Sequence, residues 1–158
     1  MQACPFGDME GLRIAAEMEK RGGEFYRLAA RVSRAQDTKD LLTSLAADEA
    51  VHLHEFQRLY AKAEAENRAP YSPERAAYLT ALAAEIAFPE GVVGLAGQLE
   101  SPQAILQSAI RSEEDSIRFY TELTKATGCQ PMASVFEDII RQETGHLHRL
   151  QKMLSELT

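Results

Sequence analysis

Four stretches of this chain place apolar residues in alternating steps of three and four. They read Leu12, Ala15, Glu19, Gly22, Tyr26, Ala29; Leu42, Leu45, Glu49, His52, Phe56, Leu59; Leu106, Ala109, Glu113, Ser116, Tyr120, Leu123; and Phe136, Ile139, Glu143, His146, Leu150, Met153. Each is the inward stripe of an amphipathic helix. The pattern predicts helices over about Asp8 to Val32, Asp37 to Glu66, Pro102 to Thr127, and from Pro131 to the C-terminus. Ser33 to Asp37 reads as a short polar turn, and Gly128-Cys129-Gln130-Pro131 as another. Asn67 to Pro73, with Pro70 and Pro73, breaks the second helix. Ser72-Pro73 is a start signal for a short extra helix to about Ala87, and Phe88 to Glu100 reads as loop. No strand pattern appears. The expected fold is all-α: one four-helix bundle, residues 1–158, with a long crossover between helices two and three.

Loop lengths set the topology. Short turns make helices one and two antiparallel, and likewise three and four. The crossover is long enough to return along the whole bundle, which lets helix three run parallel to helix two. Rise per residue gives a check. Glu19 lies about 20 Å before the end of helix one and Glu49 about 18 Å after the start of helix two, so the two meet at one height. Glu113 and Glu143 meet by the same arithmetic.

In all four stripes a glutamate stands where a core residue belongs. The four are related by a repeat: adding 94 to Glu19, Tyr26, Glu49 and His52 gives Glu113, Tyr120, Glu143 and His146. Ala15/Ala109, Phe25/Phe119, Leu53/Leu147 and His54/His148 also match at that offset. Two lone glutamates and two Glu-x-x-His pairs result. Burying four unpaired carboxylates costs several kcal/mol each unless something neutralises them. Two divalent ions would balance the four charges, with Glu19, Glu49, His52, Glu113, Glu143 and His146 as ligands. The alternative is a hydrogen-bonded core of protonated glutamates, or helices turned so that these residues face water.

Tyr26 and Tyr120 follow the lone glutamates by seven residues. They are expected to support the site's chemistry as hydrogen-bond donors to ligating carboxylates, or else to be ordinary core aromatics. Gly22 and Ser116 are small stripe residues beside ligands, consistent with room for a small oxidant or with close helix packing. His54, His148, Glu17, Glu24, Glu114 and Asp115 fall off the stripes and read as surface groups.

The net charge of −7, from 17 basic and 24 acidic residues, argues against nucleic acid as a partner. No signal peptide or membrane span is visible, so a cytoplasmic location is expected. Cys4 and Cys129 are far apart in sequence and no Cys-x-x-Cys occurs, so no rubredoxin-type iron site is encoded. Both are expected to be free thiols, able to approach each other at one end of the bundle.

The run Ala-Ala-Glu-Met-Glu-Lys-Arg-Gly-Gly-Glu-Phe-Tyr (15–26), with Ala-Asp-Glu-Ala-Val-His (47–52), resembles the rubrerythrin branch of the ferritin-like superfamily. The resemblance implies a ferritin-like bundle with a non-haem diiron centre on the six residues named above. It also implies reaction with peroxide or dioxygen, and often a dimer. Full-length rubrerythrins add a rubredoxin domain as electron donor, so here the donor would be a separate protein. They also carry a further ligand glutamate where Ser116 stands, so a plain six-ligand site is expected.

Three functions compete at this point. The first is a redox enzyme reducing peroxide or dioxygen with an external electron donor. The second is a non-enzymatic iron binder or storage protein of ferritin type. The third is a structural bundle holding zinc; manganese is a further candidate metal. Leu79, Leu82, Ile86, Phe88, Val92, Val93 and Leu95 make the crossover more apolar than a solvated connector needs, which points to a homodimer.

Overall fold

Helix α1 (Asp8–Val32) turns at Ser33 into α2 (Gln36–Ala65), and α3 (Pro102–Ala126) leads through a second short turn into α4 (Gln130–Leu157). The computed structural model describes residues 8–65, 74, 77, 99–127 and 130–157, and among these there is no strand. The helix limits lie within one residue of those the periodicity predicts. The short helix expected over Pro73 to Ala87, most of the following loop, Cys4 and Cys129 lie outside the described residues, save Glu74, Ala77, Leu99 and Glu100. No described helix is long and apolar enough to cross a membrane.

Local chemistry explains the ends. Ser101 caps α3 from an extended conformation (φ −148°, ψ 160°), its hydroxyl accepting from the Ala104 amide at 3.0 Å, with Pro102 next. Such a cap is worth about 1 kcal/mol. At the far end of α1 the Ser33 hydroxyl donates to the Ala29 carbonyl at 2.7 Å, closing the last turn in a buried corner.

The apolar stripes meet in two cores, one at each end of the bundle. The first joins Leu12 and Ala15 from the start of α1, Phe56 and Leu59 from the end of α2, Phe119, Tyr120 and Leu123 from the end of α3, and Met132, Phe136 and Ile139 from the start of α4. The second joins the opposite ends: Phe25, Tyr26 and Ala29; Leu41, Leu42, Leu45 and Ala46; Ile105, Leu106 and Ala109; and Leu150. These memberships fix the directions. Helices α1 and α2 form one antiparallel hairpin, α3 and α4 a second, and α2 runs parallel to α3, as the long crossover allows. The backbones approach most closely within each hairpin; between hairpins, α1 against α3 and α2 against α4, the contact is made mainly by side chains of the two cores.

Phe25, Phe56, Phe119 and Phe136 are all buried. Each contributes about 1.5–3 kcal/mol by leaving water. The two apolar ends therefore hold the bundle, and the layer between them is free to be polar.

Candidate metal centre

The six predicted residues all reach that middle layer. Glu19 (α1), Glu49 and His52 (α2), Glu113 (α3), and Glu143 and His146 (α4) are each no more than 6% exposed. Among the described residues they fall into two overlapping quartets. Glu19, Glu49, His52 and Glu143 offer ligand atoms within 4.8 Å of one another; so do Glu49, Glu113, Glu143 and His146. Glu49 and Glu143 belong to both. The shared pair sits between two ends, one made by Glu19 and His52 and the other by Glu113 and His146.

Both imidazoles lie on one side of the carboxylates, with ring centroids 5.9 Å apart and planes 23° from parallel. Each turns Nδ1 toward the acids. His52 Nδ1 is 2.8 Å from Glu143 and 3.4 Å from Glu19. His146 Nδ1 is 3.2 Å from Glu143, 3.4 Å from Glu49 and 3.5 Å from Glu113. Each turns Nε2 outward, His52 to Gln142 Oε1 at 2.9 Å and His146 to Asp48 Oδ2 at 3.0 Å.

The tyrosines act as donors, crosswise. Tyr26 of α1 donates to Glu113 Oε1 on α3 at 2.5 Å, and Tyr120 of α3 donates to Glu19 Oε1 on α1. Both rings are buried. Burial, then the neighbouring carboxylates, pushes both phenols well above their usual range, so the protons stay on oxygen.

The acids bear on one another strongly. Burial first, then Glu19 and Glu143, raises Glu49 well above the ordinary carboxylate range. Burial and Glu143 do the same to Glu113. Burial works against charge on Glu143, but bonds from Glu113 and both histidines overcome it and hold Glu143 below that range. Burial likewise disfavours a charged imidazole, yet the facing carboxylates push His52 up to about 11 and His146 up to about 10. With no cation present, the layer thus favours charged imidazoles on His52 and His146 and disfavours charge on Glu49 and Glu113.

The donor set fits metal ions better than it fits itself. Glu19 Oε2, Glu49 Oε1, His52 Nδ1 and Glu143 Oε1 are buried and make no well-aligned hydrogen bond, although His52 Nδ1 and Glu143 Oε1 face each other at 2.8 Å. Those four atoms are one from each member of the first quartet, and unsatisfied groups of this kind each cost about 1–3 kcal/mol. Carboxylate oxygens and imidazole nitrogens spaced this closely suit divalent ions with bonds of roughly 2.0–2.4 Å.

Gly22 has a different use from either one its sequence position offered. A Cβ there would lie 3.2 Å from Glu49 Oε2, so the missing side chain makes room for the shared carboxylate. Gly22→Ala should raise the melting temperature of chelator-treated protein, because alanine gains up to ~1 kcal/mol in a helix, yet weaken metal binding by displacing Glu49. A melting scan and a metal titration of the one variant read both effects; unchanged affinity would contradict this role. Ser116, the equivalent residue, is only partly buried.

The residues set aside as surface groups are placed accordingly. His54, His148, Glu17 and Glu114 are exposed, while Glu24 and Asp115 are half-buried. Sequence reasoning missed Asp48 and Gln142. The signal was present: both immediately precede a shared glutamate, and they are 94 residues apart. They differ in type, so a search for matching residues passes over them.

A family model described as Rubrerythrin matches residues 104–158, about a third of the chain. That span is nearly all of α3 and α4, and it carries Glu113, Tyr120, Glu143 and His146. The resemblance read in α1 and α2 thus meets an independent match in the other half of the bundle. Neither the search of curated proteins nor that of solved structures found a match.

Proposed function

We propose that this rubrerythrin-like chain is a non-haem diiron protein that reduces peroxide or dioxygen with electrons from a separate donor protein. The observation that supports it most is the sharing of Glu49 and Glu143 between two quartets of buried ligand groups, the first of which holds under-satisfied atoms. One quartet could serve a single structural ion; two quartets with a common pair of carboxylates suit two ions held close together. Bound iron would supply the redox change and the open coordination positions that an oxygen substrate needs.

The chain's own groups do the rest. Glu49 and Glu143 would be shared by the two ions, Glu19 and His52 would complete one position, and Glu113 and His146 the other. Tyr120 occupies Oε1 of Glu19 and leaves Oε2 for an ion. Tyr26 holds Glu113 in the same manner. The apolar cores on either side limit water entry, which strengthens every charge interaction within. Reducing an O–O bond to water consumes protons and electrons. The electrons are assigned to a separate protein because the sequence has no Cys-x-x-Cys iron site.

Metal analysis together with the visible spectrum of aerobically oxidised, iron-loaded protein tests this reading. The expected result is about two irons per chain and the absorption of a magnetically coupled diferric pair. Zinc retained through purification without added metal, with no redox response after iron loading, would point to the structural bundle instead. Uptake of many irons per chain would point to storage.

The homodimer belongs to the same proposal, on the strength of the apolar residues between Tyr78 and Leu99. Light scattering across micromolar concentrations should give twice the 17.5 kDa chain mass. A monomer throughout that range would remove the dimer and leave the metal centre untouched.

A further inference from the structure

Nearly every element of the centre is repeated type for type between the two hairpins. Glutamate faces glutamate, histidine faces histidine, and the tyrosines exchange hydrogen bonds crosswise. Besides Gly22 and Ser116, an exception lies behind the imidazoles. His146 Nε2 meets the carboxylate of Asp48 at 3.0 Å, whereas His52 Nε2 meets the side-chain amide oxygen of Gln142 at 2.9 Å.

We propose that this asymmetry makes the two metal positions unequal, so that the ion at Glu113 and His146 binds before, and more tightly than, the ion at Glu19 and His52. The inference rests on the two-metal reading above.

The argument begins from which nitrogen is free. In both histidines Nδ1 faces the acids, so an ion there would take Nδ1 and leave the hydrogen on Nε2. That N–H must then donate outward. An anionic acceptor draws on the N–H more strongly than a neutral amide does, and it leaves Nδ1 the more electron-rich donor to a cation. Asp48 also places a negative charge one imidazole away from its ion. Its side chain is 43% exposed, so water screens part of that charge but not the direct hydrogen bond. Outer partners of this kind typically alter metal affinity by about 10–100-fold, and exchanging carboxylate for amide keeps the bond, so the lower end of that range applies. Asp48 and Gln142 are positioning residues: they act through the histidines and touch no ion themselves.

A zinc(II) titration of chelator-treated protein, followed by the imidazole NMR signals and by calorimetry, tests the order of filling. The His146 signals should respond during the first step and those of His52 during the second. Asp48→Asn keeps an acceptor in place and should narrow the gap between the two affinities by about tenfold. Gln142→Glu should strengthen the His52 position, and the double variant should reverse the order. A purely structural role for either residue would lower thermal stability without reversing that order. If Asp48→Asn fails to fold, Gln142→Glu carries the test alone, because it predicts a gain. Both histidines responding together in the unmodified chain would overturn the inference, as would an order that neither variant changes. Zinc failing to bind at all would instead remove the two-metal reading on which it rests.

Discussion

Glu143→Ala should strip the chain of both metal ions, whereas Glu19→Ala should leave about one in place. The difference follows from membership: Glu143 and Glu49 stand in both quartets, while Glu19 and Glu113 stand in one each. Losing a shared carboxylate leaves either position with three protein ligands and takes away the charge that lets two cations lie close together. Losing a terminal one leaves the far quartet complete. Glu143 carries the larger effect of the shared pair, because His52 and His146 both turn Nδ1 toward it. Metal content by mass spectrometry, with circular dichroism to confirm folding, reads the outcome. Full occupancy in both Glu49→Ala and Glu143→Ala would end the assignment, and equal losses in the Glu19 and Glu143 variants would end the distinction between shared and terminal ligands.

Removing the metal should lower the melting temperature by roughly 10 °C, and by more as pH rises. The size comes from linkage: ligand at a thousand times its Kd adds about 4 kcal/mol, and each kcal/mol moves Tm by about 2–4 °C in a chain of this length. The pH trend comes from the protons. In the unfolded chain Glu49 and Glu113 titrate near 4.5 and the histidines near 6.5; in the folded metal-free chain all four values are raised, His52 to about 11 and His146 to about 10. The histidine contribution is thus complete below pH 6.5 and is lost as pH climbs toward 10 and 11, and the two glutamates add to the same decline from 4.5 upward. Glu143 is held low and works in the opposite sense, giving stability above the ordinary carboxylate range that is lost only in acid. Metal must displace the protons these groups hold, so its binding tightens with pH. The gap between loaded and chelated Tm should therefore widen from about pH 6 to about pH 8.5. Calorimetry in buffers of different ionisation enthalpy should show protons released as metal binds near neutrality, with His52 and His146 among their sources. A chelated protein as stable as the loaded one would favour a self-sufficient hydrogen-bonded core.

The fold was legible because each stripe repeats without interruption over six positions, and because the start and turn signals sit where the stripes end. Val32, Ser33 and Ser101 mark those limits in both sequence and structure. The ligands were legible for a related reason. A glutamate on a buried stripe conflicts with its surroundings, and four such conflicts at one height have a common resolution. Gly22 was harder to read, since a glycine beside a ligand does not reveal which neighbour needs the space; only the fold shows that neighbour to be Glu49 from the adjacent helix. Asp48 and Gln142 were harder still. Each lies on one helix and serves a histidine on another, a pairing set by how α2 meets α4 and not by spacing along either. Which of two tyrosines faces which glutamate was equally hidden: spacing made both donors to ligating carboxylates, and only the bundle pairs Tyr26 with Glu113.

The wider backbone spacing between the two hairpins has a mechanical consequence. Each hairpin has its own interior seam, but where α1 meets α3 and α2 meets α4 the backbones touch little. Each ion would be gripped by three residues from one hairpin and one from the other. A loaded pair would therefore work as a removable cross-link, a clasp that fastens two half-bundles without constraining either internally. Its release would leave the two apolar cores to hold the halves together without that tie, while the turn at Ser33 stays closed. Metal status would then set how far the two halves can part, and iron supply would be felt as shape.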